Sequence, residues 1–119
     1  MKKILIIDDD EFLLPMYSAK FKEADFMVEG AKNGEEAIEK TKTFKPDIIL
    51  VDIVMPNMDG FETIKSLRRV VGKKTKIVAL SNLDQRENIE KALLSGADDY
   101  IKKADFTPSQ ILEKVKKYV

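Results

Sequence analysis

Groups able to do chemistry sit where apolar runs give way to polar residues. Asp8, Asp9 and Asp10 follow the run 4–7, Asp52 follows 48–51, Ser81 follows 77–80, and Lys102 and Lys103 follow the short run 100–101. The 119 residues include no His and no Cys. Imidazole catalysis, thiolate ligation and a disulfide framework are therefore excluded. Nucleophilic attack, proton transfer and metal binding fall to carboxylates, hydroxyls and amines. Carboxylates gathered in one crevice cannot all stay ionised without a compensating cation. Oxygen donors without His or Cys favour Mg²⁺ over zinc and leave coordination positions for water and a phosphoryl oxygen. One carboxylate would then be a nucleophile that forms an acyl phosphate. The metal would neutralise the incoming phosphoryl charge, a lysine would hold a second oxygen, and the Ser81 hydroxyl could bond a third.

Each piece also has a plainer reading. The triplet Asp8, Asp9, Asp10 serves equally well to cap a first helix and complement its dipole. A lone Ser at a strand end is usually a turn residue, and a lysine pair is usually a solvated edge. Asp52 resists such a reading, because an ionisable group directly after four buried aliphatics needs a partner or a function. All four features at one edge of one sheet make coincidence a poor explanation.

The elements that position them follow from periodicity. Runs 4–7, 48–51 and 77–80 have the length of strands buried on both faces, with weaker candidates at 27–31 and 100–101. Helical spacing appears in Leu13, Tyr17, Phe21 and Ala24, in Ala37, Ile38 and Thr41, and in Phe61, Ile64, Leu67 and Val71. It recurs in Ile89, Ala92 and Leu93 and in Ile111, Leu112 and Val115, the last helix continuing to Tyr118 and Val119. Four capping boxes mark helix starts: Asn33 with Glu36, Asp59 with Glu62, Asp84 with Glu87, and Thr107 with Gln110, the last followed by Pro108. Pro15 should kink the first helix or delay its start. Five βα units imply a parallel sheet with helices on both faces, whose ligand site lies at the carboxyl ends of the strands.

The chain is long enough for one packed domain, expected over residues 1–119, with no linker and no output domain. Its 21 basic and 21 acidic residues cancel, leaving no overall field to draw it onto nucleic acid or anionic lipid. No apolar run approaches the roughly 18 residues of a membrane span, so a soluble cytoplasmic protein is expected.

The stretch Pro46-Asp47-Ile48-Ile49-Leu50-Val51-Asp52-Ile53-Val54-Met55-Pro56-Asn57-Met58-Asp59-Gly60 resembles the centre of the receiver domain of bacterial two-component response regulators, in a form like the single-domain chemotaxis regulators. The likeness extends to Ile6-Ile7-Asp8-Asp9, to Asn33-Gly34-Glu35-Glu36-Ala37 and to Gly96-Ala97-Asp98-Asp99-Tyr100-Ile101-Lys102-Lys103. It implies a flavodoxin-like, doubly wound (βα)5 three-layer α/β sandwich with strand order 2-1-3-4-5. It implies that Asp52 is the phosphoacceptor, supplied by a sensor histidine kinase or a histidine phosphotransfer protein. Mg²⁺ would be held by Asp9, Asp52 and the backbone carbonyl of Val54, with Asp8 acting largely through water. Ser81 takes the place of the switch hydroxyl and Tyr100 that of the aromatic that turns with it. The family's lysine stands three positions after that aromatic, which selects Lys103 over Lys102. The readout would be a separate protein or a second copy, through the surface of the fourth helix, last strand and fifth helix.

The departures also carry expectations. Ala104 stands where the family usually has proline, so the turn after Lys103 must be built differently. Asn82 replaces the small residue common after the switch hydroxyl. Val54 and Leu83, two positions beyond Asp52 and Ser81, place apolar groups where they could exclude an attacking water. Val54→Asn should accordingly shorten the acyl-phosphate half-life, read by mass spectrometry after removal of the phosphodonor.

Two rival functions are weaker. A Mg²⁺-dependent phosphatase with an aspartyl nucleophile needs a second Asp two residues on as general acid, and that position is Val54. A binding module of the same fold could carry flavin, but three acids after the first strand repel a flavin phosphate. A receiver-like module that is never phosphorylated would be expected to lack some of the acids or the lysine. No Gly-x-x-x-x-Gly-Lys-Ser/Thr loop is present for a nucleotide.

Overall fold

The structure is a computed structural model that describes residues 1–53, 59–82 and 86–119. Along the chain come β1 (Lys3–Ile7), α1 (Leu13–Glu23), β2 (Met27–Ala31), α2 (Gly34–Phe44), β3 (Ile48–Asp52) and α3 (Gly60–Val71). They are followed by β4 (Lys76–Ser81), α4 (Arg86–Ser95), β5 (Asp99–Lys102), a 3-10 turn (Lys103–Asp105) and α5 (Pro108–Lys116). All strand pairs are parallel and the order is β2-β1-β3-β4-β5, the flavodoxin-like arrangement expected.

The unbroken apolar runs are explained by burial on both faces. Leu5, Ile7, Ile49, Val51, Ile77 and Ala79 pack with Ala37, Ile64, Leu67 and Ala92 of α2, α3 and α4. Ile4, Ile6, Ile48, Leu50, Val78 and Leu80 pack with Tyr17 and Phe21 of α1 and Ile111, Leu112 and Val115 of α5. One helix departs from its expected stripe: Ala92 is buried, but Leu93 is 44% exposed and its neighbour Leu94 89%.

The caps behave largely as their residue types require. Asn33 accepts from the Glu36 N–H at 2.8 Å and Asp59 from the Glu62 N–H at 2.8 Å. Thr107 and Gln110 close a reciprocal box at 3.2 and 2.8 Å, with Pro108 at the first helical position. Asp84, the fourth expected cap, lies outside the described residues. Pro15 is the third residue of α1, inside the first turn, where its missing N–H costs little. The helix begins at Leu13, the first residue of the expected stripe, so Pro15 does not delay its start. The last helix stops at Lys116 rather than at Tyr118, whose hydroxyl instead donates to the Asp99 carboxylate.

Arg68 ties together the edge of the sheet remote from the carboxylates. Its guanidinium donates to the carbonyls of Gly96 (3.0 and 2.7 Å), Gly72 (2.8 Å) and Thr75 (2.8 Å) and to Asp98 (2.7 Å). The same Asp98 oxygen accepts the Ile77 N–H at 2.8 Å. All five guanidinium donors are engaged, which a lysine could not reproduce. Arg68→Ala should lower stability by about 2 kcal/mol in urea denaturation, and Arg68→Lys should recover little of it.

At the other end of the sheet, β2 is an edge strand. Alternation along β2 turns the Gly30 carbonyl outward, since the flanking Ala31 carbonyl accepts the Asp8 N–H. Lys40 of α2 donates to that Gly30 carbonyl and pairs with Glu29 and Glu36 at 3.6 and 3.1 Å.

Candidate functional site

The three consecutive aspartates separate into two tasks. Asp10 caps α1: its Oδ1 accepts the backbone N–H groups of Phe12 (2.8 Å) and Leu13 (3.0 Å). Those two donors, Leu13 foremost and Phe12 next, hold its carboxyl below the ordinary aspartate value. Asp8 extends the β1–β2 ladder, its N–H bonding the Ala31 carbonyl at 3.0 Å, while its Oδ1 accepts the Asp10 N–H at 3.0 Å. It is buried, Asp9 is exposed, and Asp52 ends β3 with 8% of its surface accessible. Asp8, Asp9 and Asp52 each place a carboxylate oxygen within 4.8 Å of the other two. The capping and metal readings of the triplet are thus both realised, by different members.

Lys103 reaches this cluster from the far side of the sheet. Its ammonium lies 3.3 Å from Asp8 and 3.2 Å from Asp52. Burial alone would pull the Lys103 ammonium below the ordinary lysine value, but the charges of Asp52 and Asp8 and their hydrogen bonds outweigh it and raise it. Lys103 is therefore a full cation at neutral pH. Three carboxylates against one ammonium leave net negative charge among hard oxygen donors, which suits a divalent cation of the Mg²⁺ kind.

The position of Lys103 follows from the turn that starts on it. Residues Lys103–Asp105 form a single 3-10 turn in which the Phe106 N–H bonds the Lys103 carbonyl at 3.3 Å. Ala104 sits inside that turn, which is how the chain leaves β5. Ser81 ends β4, buried, in register with Lys102 and next to Leu80, the partner of Asp52 across the β3–β4 ladder. Tyr100 of β5 is half-buried against the α2–α4 side of the core. Val54, the remaining expected ligand, and Leu83 lie outside the described residues. Asn82 is exposed.

Two neighbours of the site were not evident from the sequence. Tyr17 of α1 reads there only as a core position. It is buried, and burial raises its hydroxyl pKa; Lys103 opposes that rise, while Asp8 and Asp52 add to it. Gly60 opens α3 with its N–H on the Ile53 carbonyl at 2.8 Å. A side chain there would place Cβ 2.2 Å from the Ile53 Cα. Beside the acids lies a cavity of about 250 Å³ walled in part by Asp8, Glu11, Leu14, Pro15 and Lys32.

Residues 4–116 match the family of the response regulator receiver domain. The chemotaxis protein CheY of Thermotoga maritima is 38% identical over 117 residues, covering 98% of this chain and 96% of that protein. The alkaline phosphatase synthesis transcriptional regulatory protein PhoP of Bacillus subtilis is 36% identical over 117 residues, 97% of this chain but 47% of that protein. The solved structure of the chemotaxis protein CheY4 of Vibrio cholerae superposes with a TM-score of 0.92 at 31% identity, covering 100% of this chain and 99% of that one. The chain belongs to the response regulator receiver family, the signalling modules of two-component systems.

Proposed function

We propose that this protein is a phosphorylation-dependent switch in which Asp52 accepts a phosphoryl group from a phosphohistidine on a sensor kinase or phosphotransfer protein. One observation carries the reading. Asp8, Asp9 and Asp52 converge on one point, and Lys103 spans two of them. An oxygen of Asp52 attacks phosphorus as the bond to the donor imidazole nitrogen breaks, and the imidazole leaves with the bonding electron pair. Mg²⁺ would be held by Asp9 and Asp52, with Asp8 acting largely through water and the Val54 carbonyl completing the set as the family likeness implies, and would supply charge neutralisation for the transferring group. Lys103 is positioned to exchange a carboxylate partner for a phosphoryl oxygen. The chain would catalyse only its own phosphorylation and dephosphorylation.

Once Asp52 carries the group, the Ser81 hydroxyl moves toward it and Tyr100 turns into the space released. The surface of α4, β5 and α5 then changes. Exposed Leu93 supports that surface: it lies on the side of α4 away from Lys91, whose ammonium sits 4.5 Å from the Phe61 ring of α3. Its occupant would be a downstream protein or a second copy. Active and inactive forms need differ by only a few kcal/mol for one acyl phosphate to shift the population. Among the described residues no helix is long and apolar enough to cross a membrane, and the cytoplasm is the compartment we propose.

The test is a mass measurement after incubation with a small-molecule phosphodonor, with and without Mg²⁺, beside Asp52→Ala. A Mg²⁺-dependent phosphoryl adduct on the parent and none on the variant is the expected result. No adduct on the parent, or an adduct that persists in the variant, would overturn the assignment.

A further inference from the structure

We propose that the sheet edge opposite the carboxylates carries a second binding surface, an apolar groove between α2 and α3 flanked by lysines that takes an acidic segment of a partner protein containing apolar side chains. The groove is a cavity of about 360 Å³, within the range of small binding pockets. Buried Pro46 and half-buried Val71 line it, and Val70, 47% exposed, stands at its rim. Lys42 and Lys45 line it from α2 and its C-cap. Lys73 and Lys74 do not line it but are exposed beside it, in the turn between the lining residues Val71 and Thr75.

The charge here is unbalanced. Lys42 pairs with Glu39 at 3.0 Å, but Lys45, Lys73 and Lys74 form no ion pair with a described residue. Lysines at helix C-termini complement the helix dipole, and that accounts for their sign. It does not account for the backbone of Lys45, which has φ 50 and ψ 66, the left-handed conformation in which glycine is free of penalty. A long cationic side chain stands at a left-handed position on the wall of an apolar cleft.

Three features select the class of occupant. Apolar floor with unpaired ammonium groups fits a peptide that alternates carboxylates with aliphatic or aromatic residues. The lining contains no aromatic and no arginine, so bases have nothing to stack on. The surface is concave between two helices, whereas lipid takes a protruding apolar face.

The experiment titrates the full chain into a fluorescein-labelled peptide of alternating Asp or Glu with Leu or Phe, read by anisotropy. Saturable binding is expected, at least about tenfold weaker for the double variant Lys73→Glu, Lys74→Glu. Lys45→Gly should also weaken binding while folding at least as stably as the parent, because glycine suits that φ. Neither variant should alter phosphodonor labelling of Asp52. Failure to saturate, unchanged binding by both variants, or equally tight binding of a single-stranded oligonucleotide or an anionic phospholipid vesicle would overturn the proposal.

Discussion

Lys103→Met should unfold about 3 kcal/mol more readily than the parent in Mg²⁺-free buffer, and added Mg²⁺ should restore most of that loss. Methionine retains much of the aliphatic stem, so the deficit reports the missing charge. The Lys103 side chain is only 13% exposed, and its partners Asp8 and Asp52 are 2% and 10% exposed, so screening discounts the pairing little. Removing one member of such a group leaves uncompensated buried charge, which costs about 3–5 kcal/mol. A bound divalent cation replaces the lost compensation and stabilises by mass action.

The pH dependence has a definite sign. In the parent the Lys103 pKa is raised, so its contribution is complete below the ordinary lysine value of 10.5 and is lost as pH rises through the folded-state value. Urea denaturation with EDTA and with Mg²⁺ measures both effects. A deficit indifferent to Mg²⁺ would show that the acids do not form the cation site.

Gly60→Ala is the second large effect, a loss of about 3 kcal/mol or more. An added Cβ would stand 2.2, 2.6 and 2.7 Å from the Ile53 Cα, carbonyl oxygen and carbonyl carbon. These are backbone atoms, fixed by the end of β3, and cannot swing aside as a side-chain tip would. Relief requires moving α3 and breaking the Gly60-to-Ile53 hydrogen bond, which places the substitution at the upper end of overpacking costs. Gly72→Ala is the control. Gly72 has φ 74 and ψ −154 with nothing within 4 Å of a built Cβ, so only backbone strain applies, about 1–3 kcal/mol. Guanidinium midpoints for the two variants should differ accordingly, and equal losses would remove the steric account.

Features governed by local chemistry were readable in the sequence. The strand before Asp52 announces itself because a central parallel strand must be apolar on both sides. Asn33, Asp59 and Thr107 announce themselves because a cap acts over three residues. Features made by distant segments were not. Asp10 caps α1 without a Glu or Gln three positions later, since Leu13 is there, so the triplet could not be divided until β1 and α1 were placed. Arg68 reads as one more charge on an amphipathic helix. Its acceptors at residues 72, 75, 96 and 98 converge only when α3, β4 and the turn before β5 are assembled. Gly60 stands in a recognisable Asp-Gly pair, but its necessity comes from Ile53 seven positions back. Lys103 was preferred to Lys102 only through the family likeness, because β5 is too short for alternation to decide.

The lysine on the β2 edge bears on behaviour at high concentration. An open strand edge is a template onto which another chain's backbone can add, and each addition exposes a fresh edge for the next. Here the first incoming N–H would find the Gly30 carbonyl occupied, and to gain it must strip an ammonium that two glutamates also hold. Nucleation of such growth is therefore penalised before any new ladder has formed. Replacing Lys40 would free the Gly30 carbonyl and remove that penalty while leaving the strand pairings of the sheet in place.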